Sequence, residues 1–303
     1  MSQRGWYYYV VRRTGGRDNT LPETRAQSQV CRAIQEEGRG TVEIFKIIYI
    51  MNRNWTREET IIAFNVYCKI PFKDSNKNHP MIKKYAKIIG RSPDALNMKI
   101  GNIGRLDPKL RERGIVGLSH GSKIEQMIWD EFYTNPERFA YESECLIAKY
   151  ANDSIEKTSN IDITNLPLGK DRDTMVKRRV NQSFFRSAVM TSYDYKCCIS
   201  GVSNPELLEA CHIVGWAEDY QNRTNPENGL CLNSLFHRAY DNYLLAITPD
   251  CEIIISDVFI EKVEGESFKR YLEEINGRQI NMPTRFYPKK EFLDFHYQKY
   301  LKI

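Results

Sequence analysis

His212, Asn228, His237 and Asp241 are residue types that hydrolytic sites use, and they stand close together toward the C-terminus. An imidazole titrates near about 6.5 when unperturbed, so His212 can accept a proton from water at neutral pH. His237 and Asp241 are four residues apart in SLFHRAYD, a segment with helical character. That spacing puts both side chains on one helix face, where two ligands can reach one ion. Taken singly the residues say less: a histidine on a strand is more often a packed residue, and an Asn-Gly pair is more often a turn.

The elements that must position these groups are legible around them. Residues 207–214 are short and apolar enough for a strand, and a polar loop follows through Asn228. GLCL at 229–232 suits a second strand and residues 234–242 a helix. Upstream, Phe184, Phe185, Ala188 and Val189 give a preceding helix an apolar face, leading into YDYKCCISG at 193–201. Histidine on the first strand, asparagine near the loop's end and histidine on the helix resemble the HNH nucleases of the ββα-metal class. The separations of sixteen residues from His212 to Asn228 and nine from Asn228 to His237 fit that family's pattern. The words LEACHIVGWAED, NPENGLCLNSLFHRAYD and YKCCISG are similar to its restriction-type branch. Similarity continues through RYLEEINGRQINMPTRFYP, and NWTREETIIAFNVYCKIPF and IGRSPDALNMKI resemble a region often fused to such domains, so the likeness covers about 52–303.

The resemblance implies a metal-dependent endonuclease acting on double-stranded DNA, as in restriction or phage defence. His212 would be its general base, and His237 and Asp241 would hold one divalent ion, Mg2+ first, with Mn2+ or Zn2+ as alternatives. Asn228 would hold the loop that aims His212 or, as in some branches of the family, contact the metal. Cys211 departs from the pattern, since Asp or His commonly precedes the base and also binds the metal. It is read first as a small packing residue and second as a third ligand, which as a thiolate would favour zinc. The paired CysXXCys motifs of zinc-holding relatives are missing, so Cys198, Cys231 and Cys251 are expected in the core. Gly215 stands where proline is usual. His79, His120 and His296 lack such company and are read as surface or packing residues.

Helical signals dominate the segment before the nuclease. Thr56 with Glu59 forms a capping-box pattern ahead of Ile62 and Val66, and Ile82, Tyr85, Ala86 and Ile89 keep helical spacing up to Gly90. Ser92 and Pro93 should open a third helix with Leu96, Ile100 and Ile103 inward. Met98, Asn102 and Arg105 would then project outward, with Asn97 and Lys99 on the flanks. That layout suits either a DNA-reading helix-turn-helix or an ordinary helical bundle. Residues 170–186 carry six positive and two negative side chains, including Lys177, Arg178 and Arg179, which suits a phosphate backbone or a solvated face.

The whole chain reads as α+β: a poorly defined extension over 1–50, a helical domain over 51–150, a polar linker over 151–179 and the nuclease domain over 180–303. Residues 6–11 could form a strand; residues 1–50 are read first as an upstream extension of a chain whose natural start is Met51 and second as an appended dimer arm or basic DNA tail. With 303 residues, 41% hydrophobic, the chain can bury substantial cores. Eight scattered cysteines and no apolar run near about 18 residues point away from a disulfide scaffold and a membrane span, and toward the cytoplasm. Cutting both strands with one site per chain points to a homodimer. The competing readings are an inactive DNA-binding regulator on a nuclease fold and an RNA or structure-specific nuclease.

Overall fold

The structure, a computed structural model, describes residues 54–115, 122–162, 164 and 170–303. The expected extension, its strand at 6–11, Met51 and His120 lie outside the described residues. Helix α1 (Arg57–Lys69) starts on the capping box read from the sequence, with the Thr56 side chain accepting from Glu59 N and Glu59 reaching back to Thr56 N. It is buried from Glu59 to Cys68, so it is the axis of the helical half. Buried polar groups on it find partners inside: Glu59 pairs with Arg91 at 2.8 Å, and the Asn65 Nδ2 donates to Ser143 and Glu144 at 2.7 Å each. Around it pack α2 (Pro80–Ile88), α3 (Pro93–Gly104), the short α4 (Pro108–Glu112), α5 (Lys123–Thr134) and α6 (Pro136–Ala151). Gly90 at φ +65 ends α2, and Ser92 caps α3 through Ala95 N at 3.1 Å.

The face of α3 expected to read DNA is largely occupied. Lys99 is buried against Glu125 of α5 at 2.5 Å, Arg105 lies 3.7 Å from the same carboxylate, and Asn102 donates to it at 3.4 Å. Asn97 accepts from Ser75 at 3.0 Å, and Met98 alone of the set is well exposed. Residues after the third helix fold back as α5 and place one buried carboxylate over three donors. Helical periodicity within α3 cannot reveal a neighbour that comes from elsewhere in the chain.

Past the short α7 (Ile155–Thr158) comes α8 (Lys170–Ser192), a helix of 23 residues. Its first half occupies the stretch expected to be linker. Val176, Val180, Phe184 and Ala188 form a buried row at four-residue spacing, but charged side chains between the valines hid its beginning. Phe184 and Ala188 join the core of the helical half, whereas Phe185 and Val189 join a second core with Tyr193 and the strands.

That second core holds an antiparallel pair, β1 (Leu208–His212) and β2 (Gly229–Asn233), with His212 opposite Gly229 and Glu209 opposite Leu232. Helix α9 (Ser234–Asp241) follows directly, capped by Asn233 through Phe236 N at 2.9 Å. A second hairpin, β3 (Leu245–Ile247) with β4 (Ile253–Ile255), and helices α10 (Asp257–Glu261), α11 (Glu266–Ile275) and α12 (Lys290–Tyr300) complete the chain. Residues Asn54–Ile303 form one compact unit. No helix among the described residues is long and apolar enough to cross a membrane.

Candidate functional site

Alternate side chains of β1 meet different neighbours, as the strand's two-residue period requires. Glu209 and Cys211 reach α9, where Glu209 contacts His237 and the Cys211 thiol lies 3.9 Å from Asp241 Oδ1. His212 reaches α8, and its ring stacks on Phe185 with centroids 3.8 Å apart and planes within 11°. One short strand therefore places a candidate base, His212, and a candidate ligand, Cys211, at consecutive positions.

His212 is held in one tautomer. Its Nε2 lies 2.9 Å from the carbonyl oxygen of Arg223, and a carbonyl can only accept, so Nε2 carries the proton and Nδ1 keeps a free lone pair. Nδ1 has no hydrogen-bond partner among the described residues. Burial, the largest influence, pushes the imidazole's pKa below its ordinary value. Trp216 meets the ring edge-on at 5.6 Å. A cleft of about 240 Å³ opens beside it, lined by Gln182, Phe185, Arg186, Glu209, Ala210 and His212.

Asn228 is fully buried and spends its amide on the backbone: Oδ1 accepts from Val214 N at 2.8 Å, and Nδ2 donates to Val214 O at 3.0 Å. Ile213 N donates in turn to the Asn228 carbonyl at 3.0 Å. These bonds tie the chain just after His212 to the start of β2.

Among the described residues, Cys211, His237 and Asp241 form one group whose ligand atoms all lie within 4.8 Å of one another. His237 Nε2 is 3.4 Å from Asp241 Oδ2, and Nδ1 meets Glu209, whose other oxygen accepts from Ser234 at 2.9 Å. The His237 contact is also the main reason that the Glu209 carboxyl titrates below its usual range. This set suits a divalent ion, with imidazole nitrogen and carboxylate oxygen as its first donors. Cys211 is completely buried, and burial followed by the Asp241 charge pushes its thiol well above the ordinary value. It is therefore both packed and within reach, and it would join as thiolate only for an ion able to displace its proton. Cys198 and Cys231 are core residues as expected, and Cys251 is half-buried.

Glu209 carries no signal of its own in the sequence, although it stands two residues before Cys211 and so on the same strand face. Phe185, Trp216 and Arg223 also escape sequence reasoning as site residues, since their relation to His212 crosses elements. Of the expected phosphate contacts, exposed Lys177 lies over the Tyr141 ring, exposed Arg178 lies over Trp216 at 5.9 Å, and Arg179 donates to the Asp162 carbonyl. His79 caps α2 through Met81 N, and buried His296 stacks on Tyr240 with centroids 3.7 Å apart.

No curated protein matches the chain. The family described as HNH endonuclease matches over residues 197–248, the span that holds both strands, the intervening loop and α9, and the chain therefore carries an HNH endonuclease domain.

Proposed function

We propose that this protein is a metal-dependent endonuclease that hydrolyses phosphodiester bonds of double-stranded DNA, with a role in restriction or phage defence. The observation that carries the reading is the tautomer of His212. A base needs an unprotonated nitrogen beside an accessible cleft, and the Arg223 carbonyl fixes the proton on the other nitrogen. Nδ1 of His212 takes the proton of the attacking water. Phe185 fixes the plane of the ring, and Asn228 fixes the backbone that follows it. His237 Nε2 and Asp241 would hold a divalent ion, Mg2+ or Mn2+, with Cys211 added for a thiophilic ion such as Zn2+. When bound, such an ion supplies Lewis acidity at the scissile phosphate and relieves charge on the departing 3′ oxygen. Glu209, accepting from Nδ1 of His237, keeps Nε2 turned toward Asp241. Two cuts on opposite strands with one such site per chain favour a homodimer.

His212→Ala should lower plasmid cleavage by a factor of about 10² to 10⁴ while DNA affinity and circular dichroism stay near wild type. In wild type the rate rises with pH as His212 loses its proton. Because burial lowers that pKa, the acid limb should lie below the ordinary histidine value of about 6.5. A variant that cuts at the wild-type rate would remove His212 from the reaction.

A further inference from the structure

The loop between β1 and β2 contains a cluster that hydrolysis itself does not use. The Arg223 guanidinium lies over two rings, 4.2 Å from the Tyr220 centroid and 5.0 Å from that of Trp216. Its Nε donates to the Trp216 carbonyl at 2.6 Å, which fixes the plane of the group. Arg178 of α8 approaches the same indole, whose edge meets His212. One turn apart along α8, Arg178, Gln182 and Arg186 share a face, and the latter two line the cleft beside His212.

Pairing distinguishes these arginines from the cations that brace the helical half. In the helical half Arg57, Lys69, Arg91, Lys99 and Arg105 all pair with carboxylates. Among the described residues no carboxylate lies within ion-pair distance of Arg178, Arg186 or Arg223. Glu209 lines the same cleft and interacts with Arg186, so the local positive field rests on Arg178 and Arg223, whose side chains lie over the Trp216 ring and hold no ion pair among the described residues. A guanidinium held flat against rings is also pre-oriented and keeps donors for phosphate oxygens. Tyr220 is 65% exposed, so the arrangement stands open to a large ligand.

We propose that Trp216 organises a strand-binding subsite in which Arg178 and Arg223 grip phosphates of the DNA strand flanking the bond that His212 attacks. This rests on the nuclease reading and adds to it the residues that hold the substrate. Arg223 then has two separable roles. Its carbonyl orients the base and survives any substitution, whereas its side chain binds the strand and does not.

The test is fluorescence anisotropy of a labelled DNA duplex over a range of NaCl concentrations, with EDTA present so that nothing is cut. Arg223→Ala and Arg178→Ala should each weaken binding about tenfold and reduce the salt slope by about 0.9 for each phosphate no longer neutralised. Arg223→Gln, whose amide can still reach the Trp216 carbonyl, guards against a loop that collapses in the alanine variant, and should show the same reduced slope. Arg223→Lys should restore the slope and recover only part of the affinity, since an ammonium cannot stack as a plane. Arg270→Ala removes equal charge from α11 and should change affinity by less than about twofold. Arg178 and Arg223 variants that bind like Arg270→Ala would overturn the subsite. A companion cleavage assay with Mg2+ or Mn2+ separates the two readings. Wild type that binds through these arginines but never cuts overturns the nuclease reading alone. Wild type that cuts, with arginine variants equal to it in binding and cutting, overturns the subsite alone.

Discussion

His237 offers two ring nitrogens, and Glu209 decides which of them faces the candidate ion. A carboxylate accepts from Nδ1–H, so the Nε2 lone pair is left toward Asp241, while Ser234 holds the carboxylate's other oxygen. Removing this support should cost the site affinity and leave the fold alone. Glu209→Ala is expected to weaken Mn2+ or Zn2+ binding about 10- to 100-fold by titration calorimetry, and Glu209→Gln less, because an amide oxygen still accepts. Unchanged affinity in both variants would reduce Glu209 to a surface residue. At this scale the sequence is most informative about residues close in number. His237 and Asp241 pair by helical spacing, and Cys211 and His212 follow from their words. Phe185, twenty-seven residues from the ring it stacks on, and Arg223, in a loop without period, have no local pattern to announce them.

At the scale of elements, β1 and β2 hold His212 in place because their packing against α8 leaves little room for adjustment. Gly229, opposite His212, has no side chain where one would fit: an added Cβ would lie 2.4 Å from Val189 Cγ2 and 2.9 Å from Phe185 Cζ. Val189 is β-branched in a helix and has one favoured rotamer, so β2 must move off the helix and Phe185 turn, which disturbs the face on which His212 stacks. Gly229→Ala should therefore destabilise the protein by about 1–3 kcal/mol and lower cleavage. Adding Val189→Ala should recover part of the loss in urea melts. A single variant as stable and active as wild type would show that the strands can part from the helix without cost. The two strands and α9 are legible in the sequence to within a few residues, since short apolar runs, a polar loop between them and four-residue helical spacing all act locally. The first half of α8 is not, because its stripe is one residue wide and its other faces are charged.

At the scale of the whole molecule, a buried arginine ties the helical and nuclease halves together. Arg285 is fully buried, donating to the carbonyls of Cys68 and Ile70 at 3.2 and 2.8 Å and to Thr191 Oγ1 at 3.1 Å, with Tyr67 4.5 Å from the guanidinium. It thereby satisfies carbonyls at the end of α1 from a residue more than two hundred positions away. Glu227 makes a second tie, accepting from Tyr133 at 3.1 Å and pairing with Lys289 at 3.1 Å. Arg285→Met would leave the Ile70 carbonyl buried without its donor, whereas Cys68 O still accepts from Thr191 Oγ1 at 2.6 Å, an expected loss of about 1–3 kcal/mol of unfolding free energy, seen as a lower urea midpoint. A midpoint within experimental error of wild type would mean that the halves do not depend on this contact. Composition and local pattern separate helical from mixed regions, but they cannot show that both regions share walls.

The seam between the halves passes between Phe184 and Phe185, neighbours in the chain that belong to different cores. For recombination this makes α8 an indivisible inheritance. A crossover within its coding sequence would hand one descendant a helix fitted to a single core. A graft that brought a new helical half would have to accept Phe184 and Ala188 as they stand, so exchange of that half by domain shuffling is confined to partners that already offer a matching groove.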